Sequence, residues 1–408
     1  MACTTGDFHK NTDKVVLLSI DGLRPEFYLS DKYPTTTLQK LAREGSAYKA
    51  LIPVFPSLTY PNHTSIITGE RPSTHGIISN TIFDVKKGPT SEWYWDHKYI
   101  QVKTISDILE EKGYKTASIH WPVTLNANIT YLMPEIFPVK GYYSDSPWEL
   151  VRKFDTSDIV DEINKKMNLK EFHNQEESDF WATQAAIYLL SEKKPKLTLL
   201  HLTNLDKIQH QYGRESGHLN DGLKVMDQRI LELKNSISRD TCLIIVGDHG
   251  FKNYNNIINI NRLFYNRGWI ELDQNNELKS WKVIAHKGGA QAAIYLNDKK
   301  IKNDVINLLI ENQNIGYNYI SKNKLNTLGS YPSALAAISS RDGFSIGAGV
   351  KDEILINLSK VKGQHGHLIS KNIKSGLIFS NCTKKYLPST PEVENTEIFK
   401  VLKNMLLP

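Results

Sequence analysis

Long uninterrupted runs of apolar residues recur along this chain. The clearest are residues 15–20 (VVLLSI), 196–204 (KLTLLHLTN) and 241–247 (TCLIIVG). A continuous apolar run of this length is typical of a strand that is buried on both faces of a parallel sheet. Segments with helical spacing come between these runs, near residues 35–43, 102–112, 179–192 and 220–236. This alternation predicts an α/β fold with a central, mostly parallel sheet.

Two shorter segments also have the pattern of strands, at residues 47–55 (AYKALIPVF) and 115–121 (KTASIHW). The pattern then weakens from Pro122 to Asp179, where aromatic residues stand among prolines and polar residues. We interpret this segment as a surface excursion that lines a substrate pocket. Aromatic residues in a long loop also serve to pack the loop onto its own domain, and this alternative stays open.

The composition changes after residue 250. Asparagine and lysine become more frequent up to residue 360, with short strands such as KVIAH and AAIYL and a helix near residues 302–311. We predict that residues 251–360 form a smaller inserted subdomain. Residues 13–250 and 361–408 would form the catalytic α/β domain.

Composition and charge limit the function classes. The chain has 408 residues, 40% of them hydrophobic, which is enough for a large core. Its formal net charge is +6, but the lysines are scattered, so we expect no nucleic-acid polymer as a partner. No stretch approaches the roughly 20 apolar residues of a membrane helix. The first residues, MACTTGDFHKNTDK, lack the apolar core of a signal peptide.

The three cysteines, Cys3, Cys242 and Cys382, are too few for a disulfide framework. Cys242 lies inside an apolar run, so we expect it only to pack in the core. Cys3 could be the lipid-anchored residue of an exported protein whose leader is absent here, or an incidental residue. Cysteine content alone therefore leaves the redox compartment open.

The candidate chemistry centres on the stretch from Pro56 to Asn80, which places a hydroxyl group at the start of a helix. Pro61 suits the first helical position and Gly69 can end the helix, so Thr59 should lie just ahead of the N-terminus. Free N–H groups and the positive end of the helix dipole favour an anion there. Taken alone, this pattern is more typical of a threonine that caps an ordinary helix.

The long apolar strands each lead to an aspartate, and these are Asp21, Asp206 and Asp248. Any one of them alone would more often be a helix cap than a ligand. Because the carboxyl ends of parallel strands meet at one edge of a sheet, we expect the three carboxylates to converge there.

Histidines accompany these aspartates. His210 lies one helical turn after Asp206, His249 is next to Asp248, and His365 lies between glycines, where the backbone can approach closely. Mixed aspartate and histidine sets suit zinc or a similar divalent ion. With Thr59 these groups are too many for one tetrahedral site and enough for two. Two metals about 4 Å apart recur in enzymes that displace groups at phosphorus. We therefore infer a two-metal hydrolase in which Thr59, rather than water, attacks first.

Taken together, the motifs resemble those of the nucleotide pyrophosphatase/phosphodiesterase family of the alkaline phosphatase superfamily. The similarity extends over most of the chain and includes SIDGLRPEF, the turn at Thr59–Asn62, the segment that ends in HGIISN, VGDHG and GQHGH. It implies an alkaline-phosphatase-like three-layer fold, with a central, mostly parallel sheet and a smaller inserted subdomain.

The resemblance also implies two Zn²⁺ ions, although other divalent cations would fit. One ion would be held by Asp206, His210 and His365. The other would be held by Asp21, Asp248, His249 and the Thr59 oxygen. Attack by Thr59 on phosphorus would give a phosphothreonine, which water then hydrolyses.

Further residues take roles from the same resemblance. Asn80 and the backbone N–H of Tyr60 would both donate to the phosphoryl oxygen that gains charge. Tyr60 would also stack on a nucleobase, and Tyr142 or Tyr143 would be the second stacking residue. Leu58 and Thr81 stand where nucleotide-cleaving relatives often carry lysines, which weakens the expectation of tight triphosphate binding. His201 is expected to be structural, like His63, His75 and His286.

The leading hypothesis is a zinc-dependent phosphodiesterase or nucleotide pyrophosphatase that acts on a small diester, with nucleotides among the candidates. The alternatives are a phosphomonoesterase or phosphonate hydrolase of the same superfamily, or a phosphodiesterase of lipid head groups. The resemblance favours an exported protein that is periplasmic, extracellular or lipid-anchored, with a leader that is absent from this chain. The leaving group and the oligomeric state are not determined by the sequence.

Overall fold

The structure is a computed structural model that describes residues 13–407. Its strands are β1 (Lys14–Ile20), β2 (Ser46–Ala47), β3 (Ala50–Ile52), β4 (Thr81–Asp84), β5 (Gly88–Trp93), β6 (Thr116–Ile119), β7 (Tyr131–Met133), β8 (Leu197–Leu202), β9 (Thr241–Val246), β10 (Lys252–Ile258), β11 (Ile270–Leu272), β12 (Leu278–Trp281), β13 (Val283–Gly288), β14 (Gln291–Leu296), β15 (Tyr317–Ile320), β16 (Ala336–Ser340), β17 (Gly343–Ile346), β18 (Leu355–Gln364), β19 (Leu377–Ser380) and β20 (Glu392–Glu394). Its α-helices are α1 (Glu26–Leu29), α2 (Thr36–Glu44), α3 (Thr59–Thr68), α4 (Pro72–His75), α5 (Ile105–Glu111), α6 (Pro147–Phe154), α7 (Ile159–Met167), α8 (Gln175–Tyr188), α9 (Asn204–Tyr212), α10 (Gly217–Ser236), α11 (Ile260–Asn266), α12 (Lys302–Glu311), α13 (Lys322–Leu328) and α14 (Glu397–Leu406).

A seven-stranded sheet forms the centre of the fold, in the order β2-β19-β9-β1-β8-β6-β7. The five strands from β9 to β7 are parallel to one another, and β19 runs antiparallel between β9 and β2. The three long apolar runs of the sequence are β1, β8 and β9, the middle of this sheet. The expected mostly parallel sheet is therefore confirmed.

Both faces of the central sheet are covered by helices. Along β1, Val16 and Leu18 belong to a core that includes residues of α2, α8 and α10, whereas Val15 and Leu17 belong to a second core with residues of α3, α5 and α14. Successive side chains of a strand point to opposite faces, so an all-apolar strand needs a helical layer on each side. This arrangement is the three-layer fold that the sequence predicted.

The later part of the chain adds a second, smaller sheet. Strands β13, β14, β16 and β15 form an antiparallel sheet, which packs with α11, α12 and α13 around a separate hydrophobic core. Strands β17, β10 and β18 form a three-stranded sheet, and β18 ends at Gln364, just before His365. The division into an inserted subdomain at residues 251–360 stays a prediction.

Several local expectations needed correction. The strand predicted at residues 47–55 is two short strands, β2 and β3, which pair with different partners. The excursion from Pro122 to Asp179 contains the edge strand β7 and the helices α6 and α7, and its apolar side chains join the main core. Its weak periodicity therefore reflects short elements separated by turns, and not an absence of structure.

The expectation that Cys242 only packs is wrong, because it forms a disulfide with Cys382, 140 residues later. Cys242 lies in β9 and Cys382 follows the neighbouring strand β19, and their Cα atoms are 4.5 Å apart. The sequence separation hid the pair, since only the sheet order brings the two segments together. Cys3 and most of the N-terminal segment assessed for a signal peptide lie outside the described residues. In the part of the chain that the structure describes, no helix is both long and apolar enough to cross a membrane.

Candidate metal centre and active site

The ends of β1 and β9 bring two aspartates and a histidine together. Asp21 directly follows β1, and Asp248 and His249 follow β9 after Gly247. The Nε2 atom of His249 lies 3.3 Å from Asp21 Oδ1 and 3.1 Å from Asp248 Oδ2. The Oδ1 atom of Asp248 accepts the backbone N–H of Gly22 at 3.0 Å, so its Oδ2 remains available. Gly22 has φ +70°, and a Cβ there would lie 2.7 Å from the side chains of Gln209 and Phe251.

A second group forms around Asp206, on the first turn of α9. His210 Nε2 lies 3.4 Å from Asp206 Oδ2, and His365 Nε2 lies 3.8 Å from Asp206 Oδ1. The other ring nitrogens are held by the backbone: His210 Nδ1 is 3.0 Å from the carbonyl oxygen of Gly363, and His365 Nδ1 is 3.0 Å from that of Ser57. A ring that donates Nδ1–H to a carbonyl presents Nε2 as an acceptor, which is the usual arrangement of a metal-binding histidine.

Asp206 connects the two groups. Ligand atoms of Asp206, His210 and His365 lie within 4.8 Å of one another, and so do those of Asp21, Asp206 and His249. The family resemblance implies Asp206 as a ligand of one ion only and Asp248 as a ligand of the other. In the structure the rings of His249 and His365 are stacked with centroids 3.5 Å apart, so the two groups of ligands are in direct contact.

The chemistry of these donors fits divalent cations. Asp21 Oδ1, Asp206 Oδ1 and Asp248 Oδ2 are buried oxygens without a hydrogen-bond partner among the described residues. Burial raises the pKa of Asp248 to about 7. Burial, and then repulsion by Asp206 and Asp248, raises the pKa of Asp21 well above its usual value. Three carboxylates this close, each with one oxygen that lacks a hydrogen-bond partner, are unfavourable as anions unless positive charge lies between them.

The histidines of the site are suited to be neutral ligands. Burial and the neighbouring histidines lower the pKa values of His249 and His365 well below the usual value. A neutral imidazole has a free lone pair for a metal, whereas an imidazolium does not. Histidine and carboxylate donors together form the set that zinc and similar ions prefer.

Thr59 is the first residue of α3, so the helix begins two residues earlier than the Pro61 signal suggested. Leu58 occupies the N-cap position without a side-chain cap, and the reading of Thr59 as an ordinary N-cap is therefore wrong. Thr59 Oγ1 lies 3.4 Å from His249 Nε2, beside the Asp21 group. The hydroxyl thus faces the candidate metal ligands from the positive end of the helix.

Asn80 lies close to Thr59 but uses its amide differently from the expectation. The backbone N–H of Tyr60 donates to Asn80 Oδ1 at 3.0 Å. Because the amide oxygen is occupied, the Nδ2 group of Asn80 is the donor that remains for a ligand. The expectation that the Tyr60 N–H and Asn80 both donate to substrate needs this correction.

A cavity of about 410 Å³ opens beside these residues. Thr59, Asn80, Asp21, Asp206, His210 and His365 line one part of it. Trp93, Phe137 and Phe172 line another part, and the segment from Pro122 to Asp179 supplies much of the wall. The aromatic residues expected in this segment therefore both pack on the domain and border the cavity.

The two tyrosines assigned to stacking do not offer a free ring. Tyr60 is 0% exposed, lies edge-on to Trp93 at 5.2 Å, and donates its hydroxyl to Glu135 Oε1 at 3.0 Å. Tyr142 is 43% exposed, approaches Trp95 at 6.3 Å, and does not belong to the described residues that line the cavity. Tyr60 borders the cavity with Trp93, Phe137 and Phe172, but its ring is fully buried. Tyr143, the alternative to Tyr142, is likewise not among the described lining residues.

Sequence reasoning missed Glu135 and treated His201 as a structural residue. His201 is fully buried, with Nδ1 2.9 Å from Glu135 Oε2 and Nε2 3.3 Å from Asp21 Oδ2. Burial alone would lower the pKa of His201, but the neighbouring carboxylates of Asp21 and Glu135 raise it well above the usual value. The sequence shows only that His201 interrupts an apolar run; its contact with Asp21 follows from the pairing of β8 with β1 in the sheet.

Comparison with known proteins gives consistent results. The model of the family described as type I phosphodiesterase / nucleotide pyrophosphatase matches residues 15–352. An uncharacterized pyrophosphatase/phosphodiesterase of Schizosaccharomyces pombe is 26% identical over 324 residues, which are 74% of this chain and 57% of that protein. The chain thus spans little more than half the length of this curated relative.

Two solved structures share the fold. Murine ectonucleotide pyrophosphatase/phosphodiesterase 5, an inactive variant in complex with AMP, has a TM-score of 0.66 at 18% identity and covers 97% of this chain and 95% of its own. Phosphonoacetate hydrolase from Sinorhizobium meliloti 1021, in complex with phosphonoacetate, has a TM-score of 0.72 at 18% identity, with coverages of 97% and 96%. These likenesses confirm the fold class inferred from the sequence.

Proposed function

The chain belongs to the type I phosphodiesterase/nucleotide pyrophosphatase family, and we propose that it is a metal-dependent hydrolase of phosphodiester and pyrophosphate bonds. One observation carries the proposal. Thr59, at the start of α3, lines a single cavity together with members of both groups of candidate metal ligands, which are Asp21, Asp206, His210 and His365. A hydroxyl group next to unpaired buried carboxylates and neutral histidines is suited to attack at phosphorus.

The metal assignment is part of the proposal. Asp206, His210 and His365 would hold one Zn²⁺, and Asp21, Asp248, His249 and Thr59 would hold the other. Bound divalent cations would supply Lewis-acid stabilisation of the phosphoryl charge and lower the cost of deprotonating a hydroxyl group. The unpaired oxygens of the three aspartates support two nearby cations, because each can then face positive charge.

The chain's own residues then carry out two displacements. The Thr59 hydroxyl loses its proton to solvent as its oxygen forms a bond to phosphorus; the bond to the leaving oxygen breaks, and the leaving oxygen takes the electron pair. Water attacks the resulting phosphothreonine in the second step, which breaks the bond to Thr59 and restores its hydroxyl group. The Asn80 amide would donate to the phosphoryl oxygen in both steps, since its Oδ1 is fixed by the Tyr60 N–H.

His201 and Glu135 would act as positioning residues. His201 contacts Asp21 Oδ2 and so fixes the carboxylate whose Oδ1 lies 3.3 Å from His249. Outer hydrogen bonds of this kind orient metal ligands in many sites. Glu135 fixes the His201 ring from the other side and also accepts the Tyr60 hydroxyl.

Nucleotides are the proposed substrate class. Trp93, Phe137 and Phe172 give the cavity flat apolar surfaces for a base, and its volume of about 410 Å³ suits a molecule of that size. The fold neighbour that carries AMP supports this choice. A phosphonate hydrolase is the second candidate, supported by the fold shared with phosphonoacetate hydrolase.

A substrate panel with zinc-loaded protein tests the proposal. The panel contains nucleoside 5′-monophosphate aryl esters, dinucleotides, a sugar nucleotide, a lysophospholipid, p-nitrophenyl phosphate and phosphonoacetate. We expect nucleotide diesters to have the highest kcat/KM, excess chelator to abolish turnover, and zinc to restore it. Preference for the monoester or the phosphonate, or full activity in chelator, would contradict the proposal.

Export is proposed as well. The Cys242–Cys382 disulfide supports an oxidising compartment, because stable disulfides are rare in the cytosol of mesophiles. Fractionation of the native organism, with thiol labelling of the protein as isolated, tests this. Recovery of the reduced protein from the cytosol would contradict it.

A further inference from the structure

Lys207 is the one lysine or arginine among the described residues that line the active-site cavity. The carboxylates there are Asp21, Glu135 and Asp206, and two of these belong to the candidate metal ligands. Lys207 lies on α9, immediately after Asp206, and is exposed. The cavity therefore has a single permanently cationic side chain, and it is next to the Asp206 group.

The Lys207 ammonium group lies at the wall formed by the start of α8. Its Nζ donates to Gln175 Oε1 at 2.7 Å, and within residues 13–407 it has no carboxylate partner. A neutral amide occupies one of the three ammonium donors and leaves the charge uncompensated. Such a group is free to meet an anion that enters the cavity.

The place of Lys207 on the helix indicates which part of a substrate it would meet. Successive residues of an α-helix point about 100° apart, so Lys207 faces the cavity wall beside Asp206 and does not join the metal ligands. Thr59 lies beside the Asp21 group, and an in-line displacement at phosphorus puts the leaving oxygen on the side away from the attacking one, toward the Asp206 group. A cation held by Asp206, His210 and His365 would supply stabilisation of the charge on that oxygen. The atoms beyond that oxygen would then lie toward Lys207.

The residues next to Thr59 and Asn80 offer no comparable charge. Leu58 is 2% exposed and apolar, and the Thr81 hydroxyl is 2.9 Å from His286 Nε2. These are the positions where the resemblance would have placed lysines. Among the described residues that line the cavity, attraction of an anion by a permanently cationic side chain is therefore left to Lys207.

We propose that Lys207 is a specificity-determining residue that favours substrates whose leaving group is itself anionic, such as the phosphate or pyrophosphate of a nucleoside polyphosphate, over substrates with an uncharged alcohol as leaving group. The inference rests on the proposed function and deepens it. The physical basis is the attraction between an ammonium group and phosphate oxygens. The flexible lysine side chain can bring its ammonium group to the phosphate.

The test compares two substrates that share one nucleoside. Thymidine 5′-diphosphate has phosphate as its leaving group, and the p-nitrophenyl ester of thymidine 5′-monophosphate has an aryl alcohol. The ratio of their kcat/KM values is measured with zinc-loaded wild type, Lys207→Gln and Lys207→Arg. Lys224→Gln is the matched control, because Lys224 is exposed on α10 and pairs with Asp221.

We expect Lys207→Gln to lower the ratio roughly fivefold, as for an exposed charge–phosphate contact, while Lys207→Arg and Lys224→Gln retain it. Raising the ionic strength should lower the ratio in wild type and have little effect on it in Lys207→Gln. This salt effect separates a charge contact from a structural role through Gln175, as does the melting temperature of each variant.

The contrary outcomes are distinct. Equal loss on both substrates, no change in either, or loss of the preference in Lys207→Arg would overturn the role of the Lys207 charge while leaving the hydrolase intact. Failure of the wild type to turn over either substrate would overturn the proposed function itself.

Discussion

Thr59 combines features that are separable by mutation. It contributes a hydroxyl 3.4 Å from His249, and it begins a helix in which every residue is buried. Its backbone carbonyl also contacts His63 Nδ1 at 2.8 Å. Removing the side-chain oxygen leaves these backbone contacts in place, so a change in activity can be assigned to the oxygen.

Thr59→Ala is expected to lower kcat/KM for a diester by about 1000-fold or more, because the attacking oxygen is lost. Thr59→Ser keeps the oxygen and should retain measurable turnover. Steady-state kinetics with zinc present measures both variants, and circular dichroism and the melting temperature verify the fold. Wild-type activity in Thr59→Ala would exclude the covalent route.

The three aspartates of the site lower the stability of the metal-free protein when they are ionised. Burial raises the pKa of Asp248 to about 7, whereas an unfolded aspartate titrates near 3.9. Between these values the folded state binds the proton more tightly than the unfolded state does. The stability contributed by Asp248 is therefore present at low pH and lost as the pH rises through about 7.

Asp248→Asn should therefore stabilise the metal-free protein increasingly as the pH rises from 5 to 8, because the variant cannot acquire the buried charge. The measurement is the difference in melting temperature between the variant and wild type, in chelator, at each pH. Using a difference removes the contribution of ionisable groups that lie far from Asp248. Zinc should then stabilise wild type more than the variant.

The control is Asp221→Asn, since Asp221 is exposed on α10. If the melting-temperature difference for Asp248→Asn does not depend on pH, the folded protein does not raise the pKa of the Asp248 carboxyl.

At the scale of elements, α2 is joined to α10 through its N-terminus. Thr35, at the N-cap position of α2, makes no side-chain cap. Instead, the backbone N–H groups of Thr37 and Leu38 each donate to Asp227 of α10 at 2.8 Å. A carboxylate from a second helix thus satisfies donors that would otherwise lack partners, and it complements the helix dipole.

Asp227→Ala should lower the free energy of unfolding by about 2 kcal/mol, because two N–H groups, one buried and one partly buried, lose a charged acceptor. Asp227→Asn keeps one acceptor oxygen and should cost less. Denaturant unfolding measures the change, and kcat/KM should stay close to wild type because Asp227 does not line the described cavity. A stability equal to wild type in Asp227→Ala would mean that water replaces the carboxylate.

At the scale of the whole molecule, the Cys242–Cys382 disulfide ties the central strand β9 to the segment that follows β19, across 140 residues of chain. The loop it closes contains the entire second sheet and the return to His365. A cross-link over so long a segment restricts the unfolded chain strongly.

Replacing both Cys242 and Cys382 by alanine should lower the free energy of unfolding by roughly 2–4 kcal/mol. A reducing agent should lower the melting temperature of wild type and leave the double variant unchanged, which is the internal control. Turnover at 25 °C should be retained, since neither cysteine lines the cavity. Equal melting temperatures of oxidised and reduced wild type would contradict a stabilising role.

The sequence by itself determined the centre of the fold and the types of residue at the site. The runs that became β1, β8 and β9 are apolar at almost every position because both faces of those strands are covered, and such a pattern is readable without coordinates. The edge strand β7 and the antiparallel β19 are short, and nothing local distinguishes them from other apolar segments. Asp21 and Asp248 could be placed together because both follow strands with one direction.

Only the tertiary structure decided which distant side chains meet. It placed Asp206 between both ligand groups, joined Cys242 to Cys382, buried Tyr60 against Glu135, and set His201 against Asp21. These contacts depend on the order of strands in the sheet and on how the segment after Pro122 folds back over the cavity. Hydrophobic periodicity records whether a residue is buried, but it does not record what buries it.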